Sequence, residues 1–185
     1  MDHDSTAAPI PKGWHPGAPP SPWVVRFAGL VPEGSTVLDL ACGAGRHTRF
    51  FAGRGHPVVA VDRDLRGIED LRDNPLIEGR ELDLEDGRPF PLAGRTFGAV
   101  VVANYLYRPV LANLVDAVGE GGALLYETFA RGNERFGTPK NPDFLLEHGE
   151  LLDVARPALE VVAYEDLKVE HPKPAAVQRI AAVRR

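Results

Sequence analysis

The sequence predicts an α/β protein built on a mainly parallel sheet, and three observations carry that prediction. Strand-length apolar runs alternate with helix-length segments along most of the chain. One such run, Val37-Leu38-Asp39-Leu40, breaks into the turn Ala41-Cys42-Gly43-Ala44-Gly45 and then a helix-like stretch from Arg46. A second, Val58-Val59-Ala60-Val61, ends on the carboxylate of Asp62.

In chain order, Met1 to about Pro20 is rich in Pro, Ala, Gly and polar residues, so residues 1–20 read as a flexible segment ahead of one domain over 21–185. Ser21-Pro22 reads as an N-cap followed by proline at the first helical position, opening a short helix through Phe27 and Leu30. Strands are expected near Thr36 to Leu40, Val58 to Val61, Arg80 to Leu82, Gly98 to Ala103, and Ala123 to Glu127. Helices are expected near Arg46 to Gly53, Leu65 to Arg72, Pro109 to Val118, and Asp143 to Ala155. Glu160 to Val169 and Val177 to Val183 have no helix-length segment between them, so they should pair antiparallel through the turn at His171-Pro172-Lys173-Pro174.

The turn after the first strand carries chemistry. Glycines without Cβ let the backbone approach a ligand, the following helix start offers free N–H groups, and an acid ending the next strand can accept both ribose hydroxyls. A nicotinamide dehydrogenase needs G-x-G-x-x-G at this point. Here the spelling is D-x-x-x-G-x-G, with Thr48 where the third glycine would stand. Ligands of open α/β sheets bind beyond the carboxyl ends of the strands, which here carry Gly43 and Gly45, Asp62, Asp83, Asn104 with Tyr105, and Glu127 with Thr128.

VLDLACGAGR and VVAVD resemble the first two motifs of the class I S-adenosylmethionine (SAM) dependent methyltransferases. GAGRHTRFFAGRGHPVVAVDRD and FLLEHGELL are similar to the small tellurite-resistance-type members. The resemblance implies a Rossmann-like three-layer fold whose seven-stranded sheet has the order 3-2-1-4-5-7-6 with strand 7 antiparallel. It also implies SAM as cofactor, held by Asp39, Ala41, Gly43, Gly45, Arg46, Asp62, Arg63, Asp83, Leu84, Asn104 and Tyr105. Within that set Asp39 would serve the methionyl amino group or cap the turn. Asp62 would bind the ribose or cap a helix, Asp64 being the better cap. Asp83 would meet the adenine amino group, with the next backbone N–H reading the ring, and Arg46 would meet the methionyl carboxylate or lie exposed. His47 reads as helix surface and Cys42 as filler in a tight turn.

Asn104-Tyr105-Leu106-Tyr107 stands where amino-methylating relatives carry [DNS]-P-P-[YF]; both prolines are absent, which argues against an exocyclic base amine as acceptor. Tyr105 and Tyr107 could stabilise a sulfonium by about 0.5–2 kcal/mol when desolvated, or pack on the next helix. Tyr105, Tyr107 and Glu127 are the candidate catalytic residues, Glu127 or His148 serving as base if the acceptor needs one. The stretch from Phe129 to Pro142 is long for a connection and suggests a lid, with Asn133, Arg135 or Phe136 reaching inward, or else a surface loop.

A formal net charge of -5 speaks against nonspecific nucleic-acid binding and for a small-molecule acceptor. A methyltransferase acting on RNA or protein, and a noncatalytic SAM-binding module, are the alternatives. The single cysteine fits a reducing, cytoplasmic setting. No apolar run reaches membrane-spanning length, and none of the six histidines is ligand-spaced with another His or Cys, so no membrane partner and no metal are expected.

Overall fold

The computed structural model describes residues 17–185, so most of the expected flexible segment, residues 1–16, lies outside the described residues. A single seven-stranded sheet has the order β3-β2-β1-β4-β5-β7-β6. Its strands are β1 (Val37–Leu40), β2 (Val58–Asp62), β3 (Ile77–Glu81), β4 (Phe97–Ala103), β5 (Val118–Phe129), β6 (Glu160–Val169) and β7 (Ala175–Val183). The first five run parallel, and β7 lies antiparallel between β5 and β6. This is the predicted order and sense.

β1 is paired on both edges and all four of its residues are buried, which is why it reads as an apolar run, interrupted by Asp39 alone. Alternate side chains leave the sheet on opposite faces. Leu38, Leu40, Val59, Val61, Val100 and Val102 meet α3 (Leu111–Asp116) and α4 (Glu150–Ala155). Val37, Val58, Ala99 and Val101 meet α1 (Pro22–Phe27) and α2 (Arg46–Ala52) on the other face. The Ser21 side chain caps α1 by accepting from the Trp23 N–H, with Pro22 beginning the helix as predicted. The Trp23 indole then donates to the Ile180 carbonyl at 3.1 Å, pinning α1 to β7.

Several elements are shorter or displaced relative to expectation. The helix expected over Leu65 to Arg72 is a 3₁₀ segment, Leu65–Leu71, broken at Ile68. A Cβ on Gly67 would lie 2.3 Å from the Gly43 carbonyl oxygen, so this segment is pressed backbone to backbone onto the glycine turn. β3 lies at Ile77–Glu81 and not at Arg80 to Leu82; it is an edge strand with mostly exposed side chains, so it lacks an apolar signature. α3 stops at Asp116, because Val118, opening β5, already pairs with Phe97 of β4. The helix expected over Asp143 to Ala155 is split into a 3₁₀ turn, Pro142–Phe144, and α4. Between them Leu145 and Leu146 dive into the core, Leu146 bridging to Ala130, and Gly149 at φ +78° restarts the chain.

The close approach of Gly67 is testable. Gly67→Ala should destabilise the fold by roughly 1–3 kcal/mol through overpacking, read as a lower midpoint in urea with an unchanged slope.

Candidate active site

β1, β2 and β4 end level with one another: Leu40 is paired with Val61 on one side and Val102 on the other. Beyond them the chain turns sharply. Ala41 and Asn104, at φ 54° and 58°, take left-handed backbone, and Gly45 at φ 71° caps α2. A cleft of about 410 Å³ opens above these strand ends. It is lined by Ala41, Gly43, Arg46, Asp62, Arg63, Asp83, Leu84, Asn104 and Tyr105, all of them expected from the sequence.

Asp62 organises this edge. One carboxylate oxygen accepts the Gly43 N–H at 2.8 Å and the other the Asp64 N–H at 3.2 Å. Capping of the 65–71 segment falls to Asp64, whose side chain accepts from the Arg66 N–H. Asp62 is therefore free of that duty, and its remaining lone pairs stay available at the cleft. Burial raises its pKa above the ordinary carboxylate value, opposed by the backbone N–H bonds. Asp83 is exposed at the tip beyond β3 and accepts the Glu85 N–H at 2.9 Å, while Leu84 is buried beside it.

Asp39 is not part of the lining. It lies beneath the turn, 1% exposed, and accepts the Thr48 hydroxyl at 2.6 Å. Burial pushes its carboxyl up to about 6. Gly45 also stands outside the lining; a Cβ there would meet Ile68 at 2.3 Å, so it serves the packing of the turn.

His47 corrects the expectation of a surface residue. It is 3% exposed, and its Nε2 accepts the Ser21 N–H at 3.2 Å, which leaves the proton on Nδ1. Burial and the neighbouring Arg46 push its pKa down to about 3. With the ring neutral, its 4.0 Å approach to Asp39 is a dipole contact and not a salt bridge. The pattern His47, Thr48, Phe51, Ala52 is a buried helical stripe that sequence periodicity could have revealed.

The expected catalytic group does not assemble as one. Tyr105 lines the cleft, but burial and the adjacent Glu85 push its hydroxyl pKa up, so it stays a protonated phenol. Tyr107 packs half-buried on the core. Glu127 lies outside the lining, with its carboxylate 3.4 Å from the Arg179 guanidinium. His148 is exposed and paired with Asp166 at 2.9 Å. The expected lid is fastened elsewhere: Asn133 is buried, donating to the Pro139 carbonyl and accepting from the Ala176 N–H. Phe136 is exposed, with the Lys168 ammonium 5.9 Å from its ring centre. Missed by sequence reasoning, Phe144 and Ala18 line the cleft. Among the described residues, no group of three or more His, Cys, Asp or Glu side chains is placed to hold a metal ion.

Residues 37–122 match the family model for a methyltransferase domain. In this matched segment and in its fold the chain is similar to the class I methyltransferases. The TehB protein of Haemophilus influenzae superposes with a TM-score of 0.70 at 19% identity, over 87% of this chain and 61% of that one. A Burkholderia thailandensis 1,6-didemethyltoxoflavin-N1-methyltransferase, solved with bound 1,6-didemethyltoxoflavin and S-adenosylhomocysteine (SAH), superposes with a TM-score of 0.67 at 17% identity, over 88% and 76% of the two chains. In sequence, a malonyl-[acyl-carrier protein] O-methyltransferase of Salmonella typhimurium is 29% identical over 104 residues, 54% of this chain. The chain thus spans 41% of that curated relative's length. No helix among the described residues is long and apolar enough to cross a membrane.

The buried Asp39 gives a signed pH dependence. Since the fold raises its pKa from 3.8 to about 6, the protonated form is favoured in the fold. The group's contribution is therefore fully present below pH 4 and lost as pH rises through 6. Asp39→Asn should match the parent's stability near pH 4 and exceed it at pH 7.5 by about 1–3 kcal/mol. Urea titrations across that range check this; a difference independent of pH would refute it.

Proposed function

We propose that this chain is a SAM-dependent methyltransferase acting on a small-molecule acceptor, with residues 21–185 as its SAM-binding domain. The observation carrying this reading is the half-buried Asp62 carboxylate, tied to the Gly43 N–H yet with acceptor capacity left at the cleft. When bound, SAM supplies an electrophilic methyl group on a sulfonium, transferred by in-line displacement. Asp62 accepts the two ribose hydroxyls. Asp83 and the backbone of Leu84 meet the adenine edge. The turn from Ala41 to Gly45, with Arg46, holds the methionyl end, and Asp39 acts on it from beneath through its field. Arg63 borders the ribose side, while Asn104 and Tyr105 flank the methyl group, Tyr105 presenting its ring and not a base. Alignment and exclusion of water are what such a site contributes to a displacement that discharges a cation.

The small acceptor is supported by the modest cleft, by the net charge of -5, and by the small-molecule substrate named for the Burkholderia protein. A cytoplasmic location belongs to the same reading. Its support is the lone Cys42, buried, with burial raising its thiol pKa.

Calorimetry should show binding of SAM and SAH and none of NAD; NAD binding tighter than either would overturn the reading. Asp62→Ala should weaken SAM at least roughly tenfold, as expected for lost hydrogen bonds to a charged acceptor. Binding to tRNA or duplex DNA at physiological salt should be undetectable. A sub-micromolar complex that weakens steeply with added salt would sink the small-acceptor assignment.

A further inference from the structure

We propose that Phe144 and Tyr105 form the acceptor wall of the cleft, that this wall selects a flat, uncharged aromatic acceptor, and that Arg108 is the positioning residue that holds Phe144 there. This rests on the reading that the cleft binds SAM. The sheet order sets the direction: Asp62 and Asp83 stand at the β2 and β3 end, so the acceptor must approach from the β4 and β5 end. There the chain following β5 returns and places Phe144 in the lining.

An aromatic ring 46% exposed gains little from burial, yet its backbone is firmly held. The Arg108 guanidinium donates to the Asp143 carbonyl and to the Leu145 carbonyl, each at 2.8 Å, bracketing residue 144. The same guanidinium donates to both Glu150 oxygens, at 2.8 and 2.9 Å, and Glu150 also accepts the Glu147 N–H at 2.8 Å. Leu145, fully buried, anchors the segment from below. A fork of this kind loses little freedom per bond formed, so it fixes the wall before any ligand arrives. An exposed apolar ring on a rigid rim is the kind of surface that marks a binding groove.

Charge decides the class of acceptor. Four of the five N–H donors of Arg108 are engaged by carbonyls and by Glu150, whose carboxylate also offsets its charge, so it is a poor partner for an anion. His47 is neutral and its Nε2 is already occupied. Arg46 sits at the glycine turn, where the methionyl carboxylate would engage it. Arg63 also lines the cleft, but it follows Asp62 at the β2 tip; toward β4 stand the Tyr105 phenol, the Phe144 ring, the Asn104 amide and the Glu85 carboxylate beside Tyr105, which suit a planar neutral molecule and give an oxyanion no counter-charge.

The test uses the full chain loaded with SAH, with 2-naphthol and catechol as neutral aromatic probes and selenite as an oxyanion probe, followed by saturation-transfer NMR and calorimetry. The aromatic probes should bind, and Phe144→Ala should weaken them fivefold or more while SAH affinity changes less than twofold. Phe144 is exposed, so this variant leaves no cavity in the core. Arg108→Gln should weaken the probes to a similar degree, and the double variant should add little further loss, a coupling that a merely structural role would not produce. The proposal is overturned if the SAH complex binds neither aromatic probe, binds them equally well without Phe144, or prefers selenite. Failure to bind SAH at all would instead overturn the cofactor reading beneath it.

Discussion

The carboxyl edge of the sheet depends on one hydrogen bond, from the Gly43 N–H to the Asp62 carboxylate. It ties the turn that leaves β1 to the tip of β2, so the two walls of the cleft cannot move apart independently. A bond to an ionised acceptor contributes about 1.5–3 kcal/mol, enough to hold a turn that carries three left-handed residues in succession with short breaks. Those residues are Ala41, Gly43 and Gly45. The same bond uses only part of what a carboxylate can accept. The fold thus holds a partly satisfied acid at the place where a vicinal diol would complete it, and the shape of the cleft and its selectivity have a common origin.

Beneath that turn the fold works against its own stability. Asp39 is buried on a face otherwise occupied by Val37, Val58, Ala99 and Val101, with the Thr48 hydroxyl as its hydrogen-bond donor. An apolar or amide side chain would suit such a place better at neutral pH. The neutral His47 beside it adds no counter-charge; it joins α2 to the start of α1 through the Ser21 N–H. The position that distinguishes this turn from the dinucleotide fingerprint is Thr48, and Thr48 is what receives the acid. A carboxylate kept beneath the cleft, at a cost in stability at neutral pH, is the pattern expected where function and not stability governs the choice of residue.

Much of this was readable because buried parallel strands leave a plain trace. β1, β2 and β4 are apolar but for Asp39 within β1 and Asp62 at the tip of β2, and left-handed residues, Ala41 and Asn104, follow β1 and β4. β3 left almost no trace, since an edge strand with exposed side chains looks like a charged loop. The helices came out long because periodicity does not register packing: the 65–71 segment is flattened by Gly67 against the turn, and Leu145 and Leu146 interrupt what sequence alone reads as one helix. The side of the cleft at β1 and β2 follows from motif residues adjacent in sequence. The far side does not, since the segment carrying Phe144 is held by the fork of Arg108, whose bonds to the Asp143 and Leu145 carbonyls span 35 and 37 residues and are announced by no local pattern.

Ala41 and Asn104 end the neighbouring strands β1 and β4, and among the described residues they are the non-glycine residues with positive φ. Left-handed backbone costs an ordinary L-residue about 1–2 kcal/mol, less for asparagine, and most for a β-branched side chain. Drift by mutation at these two positions is therefore channelled: glycine, asparagine and aspartate are open, while valine, isoleucine and threonine are closed by the backbone alone. Small side chains at the rim of the cleft would persist in descendants of this chain even if its ligand changed, so a lineage could exchange one acceptor for another while the frame around the strand ends stayed the same.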